Sequence, residues 1–183
     1  INPATIGQAI ESGVDMLFPS IHWYGEPEGL RTNIERAHSH GIEVYPSLAV
    51  AYDGHGESHH EFARNHPQFW EKRQDGSSVN RGAAVNLSWG FAEVRDYKVR
   101  KITELVRRLG CDGIFLDYAW YFGNDSGYAD VIVTEFRQAH GRDPFAIHVD
   151  DPQWLRFRAD YLTQFVGDLR ASLNDLDRNV KIL

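Results

Sequence analysis

Two carboxylates five residues apart, Asp112 and Asp117, lie in the stretch CDGIFLDYAW. Paired carboxylates can share acid, base and nucleophile roles, and pairs that break glycosidic bonds stand roughly 5 to 9.5 Å apart. The stretch reads as a β-strand, whose rise of about 3.3 Å per residue separates the two by roughly 16 Å. They cannot act on one bond. Asp112 stands at the strand's entry, where bonding to backbone groups is expected. Asp117 stands at its exit. Alternation places Phe115 and Asp117 on one side of the strand, and Ile114 and Leu116 on the other, against helices. Parallel α/β folds build their sites at the C-terminal ends of strands, so Asp117 is the candidate catalytic residue.

A run of rings follows it: Tyr118, Trp120, Tyr121 and Phe122. Two other predicted strands end in similar decoration, His22, Trp23 and Tyr24 after one, and Tyr52, Asp53 and His55 after another. A pyranose ring packs its C–H face on an aromatic face, while its hydroxyls need acceptors such as Asp and donors such as His. These residues are therefore candidate carbohydrate contacts, although any one ring serves equally well as a loop anchor. The segment YDGHGESHHEF could supply metal ligands from Asp53, His55, Glu57, His59 and His60. It has no helical HExxH register, so no metal and no cofactor are assigned. Phosphate-cradling glycine loops and the G-x-S-x-G elbow are missing from the sequence. NDSGYAD, residues 124–130, lacks the length of a calcium-binding loop and reads as a turn.

The elements that must position these residues are short apolar strands alternating with amphipathic helices, the pattern of repeated βα units and a parallel sheet. Strands are predicted at 15–21, 42–50, 111–118 and 180–183, with Gly13, Gly41 and Gly110 ending the preceding helices. Leu30, Ile34 and Ala37 mark one helix. Val99, Ile102, Val106 and Leu109 mark another. A longer one carries Leu155, Leu162, Phe165, Val166, Leu169 and Leu173 and opens with Asp151 and Pro152, a capping residue and a first-turn proline. A helix is also expected before the first strand, and a short one around Val131, Ile132 and Phe136. Two connections, 52–88 and 121–150, are long for such units and follow strand ends, where a working face is built.

With 183 residues, 42% apolar and 13% aromatic, the chain can bury one ordinary core, and residues 1–183 are read as part of a single domain. The formal charge of -7, with Lys and Arg scattered, gives no support to nucleic-acid binding. No apolar run approaches the roughly 20 residues of a membrane span. The single cysteine, Cys111, is expected to be a small buried hydrophobe. The chain opens at Ile1 and stops inside an apparent strand, so it reads as a piece of a longer protein.

Three blocks carry a family resemblance: HPQFWEKRQDGSSVN, NLSWGFAEVRDYKVRKITELVRRLGCDGIFLDYAWY and HGRDPFAIHVDDPQWLRFRADYLTQFVGDL. Together they resemble the glycosyl-hydrolase-like family ten proteins of the (β/α)8 glycoside hydrolase superfamily. The resemblance implies an α/β fold of the TIM-barrel type, here the N-terminal half, with the remaining half of the barrel as its partner in the parent chain. It implies a secreted or cell-envelope enzyme acting on polysaccharide glycosidic bonds. Asp117 matches the superfamily's catalytic Asp as nucleophile or acid, and the second carboxylate is expected beyond Leu183. Asn86, Arg95, Tyr118 and Trp154 are further matched positions, with packing roles expected for Arg95 and Trp154. Relatives commonly read LDYIRYP where this chain reads LDYAWYF, so Trp120 replaces an Arg and Phe122 a Pro, which favours a stacking platform for a neutral sugar. Two other readings stay open: a non-catalytic carbohydrate-binding barrel, and a metal-dependent hydrolase or deacetylase using the 53–60 loop.

Overall fold

The structure, a computed structural model, describes residues 3–21, 29–53, 61–81, 84–176 and 178–183. His22, Trp23, Tyr24 and His55, with the rest of the histidine-rich loop, lie outside the described residues. The chain divides into two compact units, one formed by Ile1–Val50, Val99–Tyr118 and Leu169–Leu183, the other by Ala51–Lys98 and Ala119–Asp168.

The first unit is a parallel βα assembly whose sheet does not close. After helix α1 (Pro3–Glu11) come strands β1 (Met16–Leu17) and β2 (Ser20–Ile21), helix α2 (Leu30–His38), then β3 (Glu43–Val44) and β4 (Ser47–Ala49). The two strands expected at 15–21 and 42–50 are thus each split in two, at Pro19 and Pro46, because proline has no N–H to give a ladder. Carbonyl oxygens carry the pairing across the breaks: Ser47 N–H donates to Pro19 O (2.7 Å) and Phe115 N–H to Pro46 O (3.0 Å). Strand β1 pairs with β3, and β2 with β4, in parallel. Gly13, Gly41 and Gly110 all have positive φ at helix ends, as their positions predict.

Ile102, Val106 and Leu109, on the part of helix α4 (Ala92–Leu109) belonging to this unit, are buried, as are Ile34, Leu48 and Ile114. The expected strand at 111–118 is β8 (Gly113–Asp117). It lies between β4 and the C-terminal strand β9 (Lys181–Ile182), parallel to both. Asp112 accepts from Val44 N–H at its Oδ2 (2.7 Å), with His38 Nε2 2.8 Å from the same oxygen, so it ties the entry ends of neighbouring strands together. Cys111 is buried, and burial pushes its thiol up to about 11.

The second unit fills most of what the sequence pattern leaves as long loops. Strands β5 (Tyr52–Asp53), β6 (Asn80–Arg81) and β7 (Ala84–Asn86) form an antiparallel sheet in the order β5–β7–β6. Helix α3 (Glu61–Asn65) and a 3-10 turn at Pro67–Phe69 pack rings of Phe62, Phe69, Trp70 and Phe91 around buried Ala63, Val85, Leu87 and Val94. Strands of two or three residues are too short to show a period of two, which is why 52–88 reads as a loop. The second connection holds helix α5 (Asp130–His140), and helix α6 (Pro152–Asn174) begins where predicted, with Asp151 Oδ1 accepting from Gln153 and Trp154 N–H groups. Trp154 is fully buried and Arg95 Nη1 donates to Trp89 O (2.6 Å), so both do pack. Among the described residues no helix is long and apolar enough to cross a membrane.

Candidate functional site

In the first unit Asp117 sits at the C-terminal end of β8, in register with Ala49 of β4. Its carbonyl accepts from Val50 N–H (2.8 Å), and this bond holds the strand ends level. The carboxylate is half-buried, and its Oδ1 accepts from Tyr118 N–H (2.9 Å). Tyr118 has φ 54, the one non-glycine residue with positive φ among those described. A bulky L-residue in that region costs about 1 to 2 kcal/mol, and such strain gathers where a chain must turn sharply beside working groups. The turn lets β8 stop at Asp117 and bends the chain away from the strand direction.

Two residues back, Phe115 remains exposed, meets Phe18 edge-on at 5.5 Å, and Phe18 stacks on Tyr45 at 5.7 Å. The face that Asp117 shares is therefore a row of rings, whereas Ile114 on the opposite face is buried. Among the described residues of this unit, Asp117 is the carboxylate that ends a strand.

In the second unit Trp120 is 51% exposed and meets Phe122 edge-on at 6.1 Å, and Phe122 in turn lies 5.1 Å from Tyr52. Tyr121 is committed elsewhere: its hydroxyl donates to Arg158 O (3.0 Å), its ring lies 5.0 Å from the Arg158 guanidinium, and burial pushes the phenol well up. Tyr52, Asp53 and Asn86, expected as sugar contacts, are all three buried within this unit. Asp53 Oδ2 accepts from Ala63 N–H (3.0 Å), and its charge acts on Lys98. Lys98 is itself enclosed, donating to Tyr52 O (3.3 Å) with its ammonium 5.4 Å from the Trp89 ring. Burial pushes it down to about 8. Asn86 holds its strand through backbone bonds to Glu71 and Val79.

Glu71 and Arg158 have no counterpart among the residues singled out by sequence. Each sits in a run of ordinary charged residues, and nothing in EKRQDG or LRFRAD marks one member as buried. Among the described residues no group of three or more His, Cys, Asp and Glu side chains is disposed to hold a metal ion.

The family described as Glycosyl hydrolase-like 10 matches residues 25–183. The chain belongs to that family. No curated protein matches it. Among solved structures, this glycosyl hydrolase-like 10 chain resembles alpha-L-fucosidase isoenzyme 2 from Paenibacillus thiaminolyticus, with a TM-score of 0.67 at 17% identity, over 98% of this chain and 28% of the fucosidase. It resembles the beta-galactosidase from the psychrophilic Marinomonas ef1, with a TM-score of 0.66 at 16% identity, over 98% of this chain and 33% of the galactosidase. A hypothetical protein from Ruminiclostridium thermocellum matches with a TM-score of 0.61 at 14% identity, over 98% and 88% of the two chains. At such identities the likeness is one of fold: the TIM-barrel architecture, of which this glycosyl hydrolase-like 10 chain forms part of the ring of strands.

Proposed function

We propose that the chain carries one catalytic carboxylate of a glycoside hydrolase, Asp117, together with a stacking platform for a neutral sugar, Trp120. The observation that carries the proposal is the place of Asp117: a half-buried carboxylate at the C-terminal end of a parallel strand, followed at once by the strained Tyr118. The family membership supports the carbohydrate class of substrate. Cleavage needs a second carboxyl, which the proposal places outside the described residues. At a separation of about 5 to 5.5 Å Asp117 would attack the anomeric carbon while the second carboxyl protonates the departing glycosidic oxygen, and that carboxylate would then deprotonate the water that releases the sugar from Asp117. At about 6.5 to 9.5 Å one carboxyl would protonate the leaving oxygen while the other activates water.

The test is reducing-sugar release from a panel of polysaccharides by the full-length protein, comparing wild type with Asp117→Asn. The substitution keeps shape and removes charge. Activity should fall by about 10²–10⁴-fold with the melting temperature and oligosaccharide binding preserved. A wild type that binds sugars but releases none would favour the non-catalytic carbohydrate-binding reading, which the exposed Trp120 supports equally.

A further inference from the structure

Within the second unit one buried acid and one buried base close on a single glycine. Glu71 is 3% exposed and Arg158 2% exposed. Glu71 Oε1 accepts from Gly127 N–H (3.0 Å) and from Lys72 N–H (2.9 Å). From the other side, Arg158 Nη1 donates to Ser126 O, and its Cδ packs so tightly on Gly127 that a Cβ there would lie 2.3 Å away. Gly127 also has φ +90, so both the turn and the clamp demand glycine. Around this point the segment after β8 is fastened to the 71–78 hairpin. Arg73 Nη1 donates to both Asp125 carboxylate oxygens (2.6 and 2.7 Å), Gln74 N–H to Asp125 O (2.8 Å), and Tyr128 N–H to Lys72 O (3.0 Å).

We propose that Glu71 and Arg158 are positioning residues that clamp the segment 119–128, and so set how Trp120 is presented to a sugar. This inference rests on the carbohydrate reading above for its ligand, but the clamp itself is a property of the second unit alone. Glu71 Oε2 is buried without a hydrogen-bond partner among the described groups, as is Arg158 Nε. A neutral carboxyl tolerates that site better than an ionised one, whose charge would sit in an enclosure water does not reach. The groups facing it are the Ser88 hydroxyl, Arg158 of α6 and Tyr121 of the segment; Asp125 and Tyr128 act in turn on Arg158, and Arg95 and Tyr161 on Tyr121. The ammonium of the adjacent Lys72 goes instead to Asp130 (3.4 Å). Burial outweighs the Lys72 and Gly127 backbone donors, the Ser88 hydroxyl and the Arg158 charge, and pushes Glu71 up to about 7. The clamp therefore holds tightest in mild acid and loosens as pH rises through that value, admitting water to the ionised group.

The experiment is amide exchange of the peptide spanning 124–129, corrected for the chemical rate, at about pH 5.5 and pH 8.5. In wild type, protection should fall about tenfold across that range. In Glu71→Gln, which keeps the acceptor and cannot ionise, it should stay at the wild-type acid level at both values. Arg158→Met should lose protection throughout, and the first two measurements decide the matter even where that variant fails to fold. Wild-type protection that does not change with pH, or a Glu71→Gln variant that retains the change, overturns the clamp. Neutral-oligosaccharide affinity should weaken in the same window in wild type and not in Glu71→Gln. Affinity that ignores pH while exchange responds overturns the presentation of Trp120. Absence of binding at every pH overturns the carbohydrate reading, with exchange still judging the clamp.

Discussion

Asp112 and Asp117 flank the same strand and share a side-chain type, yet they stand at its opposite ends. Asp112 spends its carboxylate on Val44 N–H and His38, so Asp112→Ala should cost about 1 to 3 kcal/mol of stability and leave chemistry intact. Chemical denaturation beside the activity assay separates it from Asp117→Asn, whose effect should fall on turnover. Trp120 is open to solvent over about half its surface, so Trp120→Ala should leave the fold unchanged. Loss of one stacking contact is worth about 0.5 to 1.5 kcal/mol, roughly two- to tenfold in Kd for a neutral oligosaccharide. Trp120→Arg should shift preference toward anionic sugars, and calorimetric titration against both classes checks this. The place of Asp117 at the end of its strand was legible from alternation and the strand's length. The burial of Asp53, Asn86 and Glu71 was not, because a short polar segment carries no periodic signal of which side chain turns inward.

At the level of elements, β8 is the strand on which the site depends, and its first residue limits what can replace it. A Cβ at Gly113 would lie 2.1 Å from Lys181 O, so backbone of β9 occupies the space a side chain would need. Gly113→Ala should push β9 away and lower stability by about 1 to 3 kcal/mol, visible in thermal unfolding followed by circular dichroism. The prolines at 19 and 46 show the complementary effect, since sheet pairing survives them through their carbonyls while the regular strand does not. Helix ends were the best-read features of the sequence: glycine and capping aspartate act through local backbone geometry, which neighbours in the chain determine. The β5–β7–β6 sheet, by contrast, is assembled from short pieces, with Tyr52 of β5 in register with Asn86 of β7 far along the chain.

For the molecule as described, the enclosed Glu71 and Lys98 shape the response to pH. Glu71 is raised from 4.5 to about 7, so the folded state binds its proton more tightly than the unfolded chain. Its stabilising effect is complete below pH 4.5 and is lost progressively as pH rises to about 7, by about 3 kcal/mol in all. Lys98 is lowered from 10.5 to about 8, so its contribution changes only above that value, where stability rises with pH. Thermal unfolding of wild type from pH 5 to pH 7.5 should therefore show a decline that Glu71→Gln removes.

The order of residues alone supplied the alternation of strands and helices, the helix termini, the exit position of Asp117 and the family blocks, because each depends on spacing along the chain. It could not disclose that Tyr121 grips Arg158 or that Gly127 lies between an acid and a base. Those facts arise when residues 37 and 56 positions apart close on one another and water is excluded from between them. Desolvation of Glu71 is a property of that enclosure, and no side chain carries it in advance.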